Sequence, residues 1–275
     1  MTYGGIMLIE VQGQTIHYTS VGKGLPLIIL HGLYLDTITM EHAIEDTSIK
    51  LDGFRRIYID LPGMGQSPAH NLENSTDTMI RLLSEVIEVL IGELPFIIIG
   101  YSYGGYLAQG IAKLLNEQVI GEVLICPVVI PESNLRKKAP IINQEIDYTY
   151  FVTLSEEKQK SYLSEMVVIN KRTCQRTEAD FSRAIALANR SFLKALYDGQ
   201  YLSTIIENSH MIHRHKTLIF LGYQDNVVGY KDMLNRLNKY PKATVSLLTN
   251  ASHSFFLEQP DQFENLLDAW LRKYK

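Results

Sequence analysis

Runs of aliphatic residues alternate with stretches of helical spacing over the first half of the chain. Residues 7–21 hold two short alternating segments on either side of Gly13, the pattern of a β-hairpin. Residues 26–30 (Pro-Leu-Ile-Ile-Leu) and 56–60 (Arg-Ile-Tyr-Ile-Asp) are continuous apolar runs, as in strands buried on both faces of a parallel sheet. Helix potential lies at residues 40–45 between them. Residues 76–91 carry Met79, Leu82, Leu83, Val86, Ile87 and Leu90 at helical spacing, with Ser75 or Thr76 as the cap. A strand at 96–99, a helix at 106–115 and a strand at 123–126 follow. Alternation of this kind predicts a mostly parallel sheet with helices on both faces.

The pattern changes after Pro127. Between residues 131 and 215 the aliphatic runs give way to charge and tyrosine, with the clearest helices at 156–167 and 178–196. Strand character resumes at 216–222. A helix at 230–237, a strand at 244–248, the Asn250-Ala251-Ser252-His253 loop and a closing helix at 260–274 complete the chain. A helical block spliced between two strands of one sheet reads as an insertion. The expected organisation is a core of residues 1–130 and 216–275, a sheet of about eight strands, and a helical insertion at 131–215 after the sixth strand.

The candidate chemistry begins at Gly100-Tyr101-Ser102-Tyr103-Gly104-Gly105, a G-x-S-x-G sequence between a strand and a helix. That is the setting of a nucleophile elbow, where a serine in strained backbone stands clear of the sheet above a helix N-terminus. A serine nucleophile needs a base, and the base an orienting acid. His253 follows the last strand and Asp225 the strand before it, so Ser102, Asp225 and His253 stand in the order expected for such a sheet. Glu132 is too far along its loop to compete, and Asp60 reads as a carboxylate bonding its own Pro-Gly turn. Asp36 and Asp46 read as surface or cap residues. An oxyanion site needs two donors. The backbone N–H groups of Tyr103 and Leu33 are expected to supply them, with His31 holding the Leu33 loop. Tyr101, Tyr148 and Phe151 are candidates for the substrate pocket. For Tyr103, packing beneath the insertion is as natural as lining the pocket.

Composition narrows the classes. The 275 residues are 46% hydrophobic and 20% charged, with a net charge of −4, and no basic stripe points to nucleic acid. Arg136-Lys137-Lys138, the densest basic run, reads as a solvated face. No apolar run is long enough to span a bilayer, and residues 1–6 lack the pattern of a signal peptide. Cys126 and Cys174 lie far apart and read as reduced thiols of a cytoplasmic protein. The spacing of His210, His213 and His215 fits no familiar zinc pattern and reads as solvated and structural. No metal or cofactor is expected, and monomer and homodimer stay open.

His31-Gly32, Asp60-x-Pro62-Gly63-x-Gly65-x-Ser67, the Ser102 elbow, Gly222-x-x-Asp225 and Ser252-His253 with Phe255-x-x-Glu258-x-Pro260 run in one order. In this the sequence resembles the α/β-hydrolase fold family, in its capped, carboxylesterase-like branch. The resemblance spans residue 25 to the C-terminus, with residues 131–215 as the cap and without signature. It implies two-step acyl transfer through an acyl-enzyme. Ser102 in place of an elbow Asp argues against epoxide hydrolases and haloalkane dehalogenases. Tyr101 and Ser254 depart from the Asn and Trp usual in carbon–carbon-bond hydrolases, and Tyr103 from the Trp usual in proline iminopeptidases. A small or medium carboxylic ester is the expected substrate. A ligand receptor on the same fold, a carbon–carbon-bond hydrolase and an acyltransferase stay open as alternatives.

Overall fold

The computed structural model describes residues 5–142, 144–208 and 211–275. The leader reading of residues 1–6 falls largely outside that range, and His210 falls wholly outside it. β1 (Gly5–Val11) and β2 (Gln14–Val21) form the expected hairpin, turning at Gln12 and Gly13, both at positive φ. β3 (Leu25–Leu30), α1 (Thr37–Glu45), β4 (Phe54–Ile59), α2 (Thr76–Ile91), β5 (Phe96–Tyr101), α3 (Tyr103–Leu114) and β6 (Val119–Ile125) follow.

Beyond β6 the chain leaves the sheet. It forms a small parallel pair, β7 (Glu145–Ile146) with β8 (Val168–Ile169), and the helices α4 (Tyr148–Phe151), α5 (Glu156–Glu165), α6 (Lys171–Arg176), α7 (Arg183–Leu187), α8 (Arg190–Asp198) and α9 (Thr204–Glu207). It returns through β9 (Lys216–Gly222), α10 (Lys231–Leu234), β10 (Ala243–Leu248), α11 (Phe255–Glu258) and α12 (Pro260–Leu271). The eight-stranded sheet has the order β1-β2-β4-β3-β5-β6-β9-β10. Strands from β4 to β10 run parallel and the β1–β2 hairpin pairs antiparallel at one edge. The aliphatic runs read as doubly buried strands are just that: Leu27, Ile28, Leu30, Ile57, Ile97, Ile98 and Ile99 are inaccessible to solvent. Parallel strands send all their carboxyl ends to one edge, where ligands bind in open α/β sheets.

Three expected helices differ. The helix at 178–196 is broken: a π turn at Thr177–Ser182 precedes α7, and Ala188 is extended (ψ 141°). The Asn189 side chain accepts from Phe192 N–H at 3.1 Å and its own N–H donates to the Gly63 carbonyl, so a fresh helix starts there. The helix at 156–167 ends at Glu165, because Val167 and Val168 N–H donate to Glu258. The helix at 230–237 shrinks to α10 and a 3₁₀ turn, with Asp232 turned aside to accept from Lys137 N–H at 2.8 Å.

The inserted segment is tied down at several points. Asp180 in the π turn accepts from His42 of α1 at 2.6 Å and from Arg176 at 2.8 Å. Arg183 reaches Asp36 at 2.6 Å. Asp36 stands at the N-cap of α1 but is buried as an ion-pair partner and not a surface residue, while Asp46 stands at the C-cap of α1 and meets Arg176. At the segment's exit, Asp77 of α2 accepts from Ser203 Oγ and from the N–H groups of Thr204 and Ile205. Among the described residues, no helix is long and apolar enough to cross a membrane.

Candidate active site

The site forms where β5 meets α3. Ser102 sits between them at φ 53° and ψ −113°, a backbone region unfavourable for any residue with a Cβ. Its neighbours hold it there. Ser102 N–H donates to the Ile125 carbonyl at 2.9 Å, and its carbonyl accepts from Val128 N–H at 3.0 Å. A Cβ on Gly104 would lie 2.5 Å from the Leu30 carbonyl oxygen and closer still to that of His31. Only glycine lets the end of β3 press against the start of α3.

That pressing sets the spacing of two backbone donors. Tyr103 opens α3, so its N–H has no carbonyl one turn behind it. Leu33 follows Gly32 in the loop after β3, and among the described residues its N–H meets no acceptor. The loop is fixed from below. His31 Nδ1–H donates to the Gly32 carbonyl at 2.8 Å, and Nε2 accepts from Leu61 N–H at 3.0 Å. That bonding requires the neutral ring, and burial pushes the His31 pKa down. His31 is a structural imidazole.

Asp60 does more than bond its own turn. It accepts from Gln66 N–H (2.8 Å), from Thr37 N–H at the start of α1 (2.7 Å) and from His17 Nδ1 of the hairpin (2.7 Å). Burial alone would raise its pKa, but the hydrogen bonds from His17 and from Gln66 N–H hold it below the ordinary value.

The three chemical residues meet. His253 Nε2 lies 3.0 Å from Ser102 Oγ, and His253 Nδ1 lies 2.8 Å from Asp225 Oδ2. Asp225 Oδ1 accepts from Val227 and Val228 N–H, each at 2.9 Å. Burial would push its carboxyl up, yet His253 and those two donors hold it below the usual carboxylate range. An ionised Asp225 keeps the proton on His253 Nδ1 and leaves Nε2 free to accept from the serine. The loops bearing the two residues are packed together, since Gly222 N-terminal to Asp225 lies against the Ser252 carbonyl.

Glu258 braces the histidine loop from the far side. It accepts from Ser252 N–H at 2.6 Å and from Val167 N–H at 2.6 Å, joining that loop to the inserted segment. Burial drives its carboxyl up to about 7 against the pull of those donors. Cys126 lies behind Asp225, and burial first, then the Asp225 charge, pushes its thiol well above the ordinary value. It is no rival nucleophile.

Above Ser102 lies a cavity of about 420 Å³. Tyr101 lines it, with its ring 5.2 Å from the His253 ring and its hydroxyl donating to the His253 carbonyl at 3.3 Å. The Tyr103 ring points away, stacking on Tyr201 at 4.9 Å and bonding Thr76, so it packs beneath the inserted segment. Tyr148 and Phe151 stand apart from the cavity. Tyr148 is 66% exposed, and Phe151 belongs to a separate small cluster with Tyr162, Met166 and Ile169. Both sit on α4, which packs on the β7–β8 pair and not over the sheet edge. The walls come instead from Tyr34, Val128, Phe181, Ile185, Tyr197 and Tyr201, which the sequence reading missed. Phe181 had a signal, an aromatic beside the buried Asp180, but only the π turn aims these neighbours at the cavity and at α1.

One further cluster offers metal-ligand atoms. Glu122, His213 and His215 lie together, with Glu122 Oε2 3.0 Å from His215 Nε2 and 3.1 Å from His213 Nδ1. The two histidines are buried, not solvated, because their rings face a carboxylate with no access to water. Burial would raise the Glu122 pKa, but the histidines hold it at about 2. The rings thus surround the buried carboxylate with polar partners, and His213 also stacks on Tyr240 at 4.3 Å. Cys126 with Asp225 and His253 is a second such group, already taken up by the Ser102 relay.

A strained serine at a strand-to-helix turn, with aspartate and histidine on the loops after the last two strands of a mostly parallel sheet, defines a class of fold and site. The chain belongs to the α/β hydrolase family, whose model matches residues 27–266. An α/β superfamily hydrolase from Oenococcus oeni PSU-1 superposes with a TM-score of 0.85 at 32% identity, covering 94% of this chain and 95% of that one. A pimeloyl-[acyl-carrier protein] methyl ester esterase of Shewanella woodyi is 27% identical over 94% of this chain and 99% of its own length. A 2-hydroxy-6-oxo-6-(2'-aminophenyl)hexa-2,4-dienoic acid hydrolase of Metapseudomonas resinovorans is 22% identical over 96% of this chain and 90% of its own.

Proposed function

We propose that this chain is a serine hydrolase that cleaves a small or medium carboxylic ester through an acyl-enzyme. The observation that carries the reading is the unbroken hydrogen-bonded line from Asp225 through His253 to Ser102 Oγ at the floor of the cavity. Ser102 attacks the ester carbonyl while His253 Nε2 takes its proton. The Leu33 and Tyr103 N–H groups receive the oxyanion as it forms, and two fixed donors suit that charge better than water does. His253 then gives its proton to the departing alcohol. Water, deprotonated by the same nitrogen, releases the acid and restores Ser102. Asp225 holds the imidazole in the productive tautomer and balances its charge.

Esterases among the relatives support ester cleavage, and the cavity suits a ligand of modest size. The departures at Tyr101 and Ser254 favour an ester over a carbon–carbon bond. A small acyl compound is the partner that the site fits. The test is turnover of p-nitrophenyl esters of graded acyl length by the wild type and by Ser102→Ala. Hydrolysis lost in the variant is expected. Saturable ligand binding that survives Ser102→Ala, with no turnover by the wild type, would replace this reading with a receptor.

A further inference from the structure

The basic run 136–138 is solvent-exposed at Lys137 and Lys138, as expected, but Arg136 is half-buried and the run is not free to move. Its loop is bolted to the loop that carries Asp225. Lys137 N–H donates to Asp232 at 2.8 Å, Ala139 N–H donates to the Asp225 carbonyl at 2.9 Å, and Arg136 reaches the Val227 carbonyl at 3.4 Å. Gly229, at φ 72°, lies directly against the Lys137 carbonyl, which leaves the loop no slack. Held this way, Arg136 and Lys138 line the same cavity as Ser102 and His253.

The charge there is one-sided. Among the described residues no Asp or Glu lines the cavity. Arg136 spends its bonds on backbone carbonyls, those of Ile130 and Pro131 at 2.8 Å besides Val227. Three of its five N–H groups go to these carbonyls, and the guanidinium also lies 5.9 Å from the centre of the Tyr201 ring, so it faces the cavity beside that tyrosine. Lys138 Nζ meets only the Ser133 hydroxyl, at 2.7 Å. Among the described residues neither cation has a carboxylate partner. Asp225 is buried behind His253 and fully hydrogen-bonded. Two cations fixed in a cleft walled by tyrosine, phenylalanine and aliphatic carbon focus a positive potential on whatever enters. A chain of net charge −4 otherwise repels anions, so this local excess is a property of the site.

We propose that the substrate carries an anionic group, a carboxylate or phosphate, which Arg136 and Lys138 receive while Ser102 attacks the ester. This rests on the serine-hydrolase reading and narrows it to anionic esters. The anion takes no part in bond making. It anchors one end of the substrate so that the carbonyl lies over Ser102 Oγ, and binding contacts remote from the chemistry then serve orientation.

Matched substrates test it. Monomethyl glutarate against methyl valerate places the charge on the acyl side. 3-Acetoxybenzoate and 3-acetoxyphenyl phosphate, each against phenyl acetate, place it on the alcohol side and separate carboxylate from phosphate. The readout is the ratio of kcat/KM, anionic to neutral. In at least one pair the wild type is expected to favour the anion by on the order of tenfold at low salt, the worth of a charge-assisted contact. That ratio should fall toward one at high salt, in Lys138→Met and in Arg136→Gln, and be kept by Arg136→Lys. Lys138 is exposed, so its variant tests the idea even where Arg136→Gln does not fold. Neutral esters turned over as fast as or faster than anionic ones in every pair would overturn the anion subsite and leave the hydrolase standing. No turnover of any ester would remove the hydrolase reading and this inference with it.

Discussion

Replacing Gly104 by alanine tests how the site is held in shape. The new methyl would stand 2.5 Å from the Leu30 carbonyl oxygen and nearer still to that of His31, where ordinary contact begins at 3.4 Å. Both obstacles are backbone, one at the end of a central strand and one in the loop that presents Leu33. The gap must therefore open by about 0.9 Å, driving the Leu33 donor away from Tyr103. Overpacking of a rigid interior costs about 1–3 kcal/mol, and about 2 kcal/mol lowers the melting temperature by roughly 4–8 °C in a domain of this size. The larger effect is on catalysis. Misplacing one oxyanion donor by about 1 Å approaches losing it, on the order of 10²–10³ in kcat. Thermal melting by circular dichroism and kinetics on the best p-nitrophenyl ester read the two effects on one preparation. Gly104→Ala with an unchanged melting temperature and full kcat would refute the reasoning, since the close approach of β3 to α3 would then place nothing.

Three further outcomes follow from the geometry. Asp225→Asn puts an amide opposite His253 Nδ1, turns the imidazole to the wrong tautomer, and should cut kcat by about 10³–10⁴ with little change in fold, as read by kinetics beside circular dichroism. Glu258→Ala leaves the N–H groups of Ser252 and Val167 buried without an acceptor. At about 1–3 kcal/mol for such a loss, the melting temperature should drop by roughly 2–12 °C, and limited proteolysis should open the chain near residues 165–169. Glu122 has a folded pKa of about 2 against an ordinary 4.5, so its contribution is complete above pH 4.5 and is lost as pH falls from 4.5 toward 2. That loss is on the order of 3 kcal/mol, and urea midpoints of Glu122→Gln should show a shallower fall than the wild type across that window.

Much of this was legible before any coordinates. Doubly buried strands announce themselves as aliphatic runs, and the elbow, the acid and the base each follow such a run, so a parallel sheet brings their loops to one edge. Ser102, Asp225 and His253 could be picked out because each obeys that one rule. The inserted segment obeys no comparable rule. Its helices are short, and its breaks come from tertiary partners: Asn189 from the Gly63 carbonyl, Val167 from Glu258, the π turn from the bonds of Asp180 to α1. Much of the cavity's aromatic wall belongs to that segment, which is why the sequence points to Tyr148 and Phe151 and not to Phe181 and Tyr201. The basic tripeptide is exposed as its sequence suggests, but that Arg136 and Lys138 also border the cavity depends on the tertiary bonds that hold their loop.

The central claim is that Ser102 is a nucleophile with His253 as its base. Intact-protein and peptide mass spectrometry after treatment with a fluorophosphonate tests it most directly, comparing the wild type with Ser102→Ala and His253→Ala. The account predicts one adduct, on the peptide bearing Ser102, absent from the first variant and strongly slowed in the second. A folded wild type that takes up no label at Ser102, or that labels equally fast without His253, would contradict it.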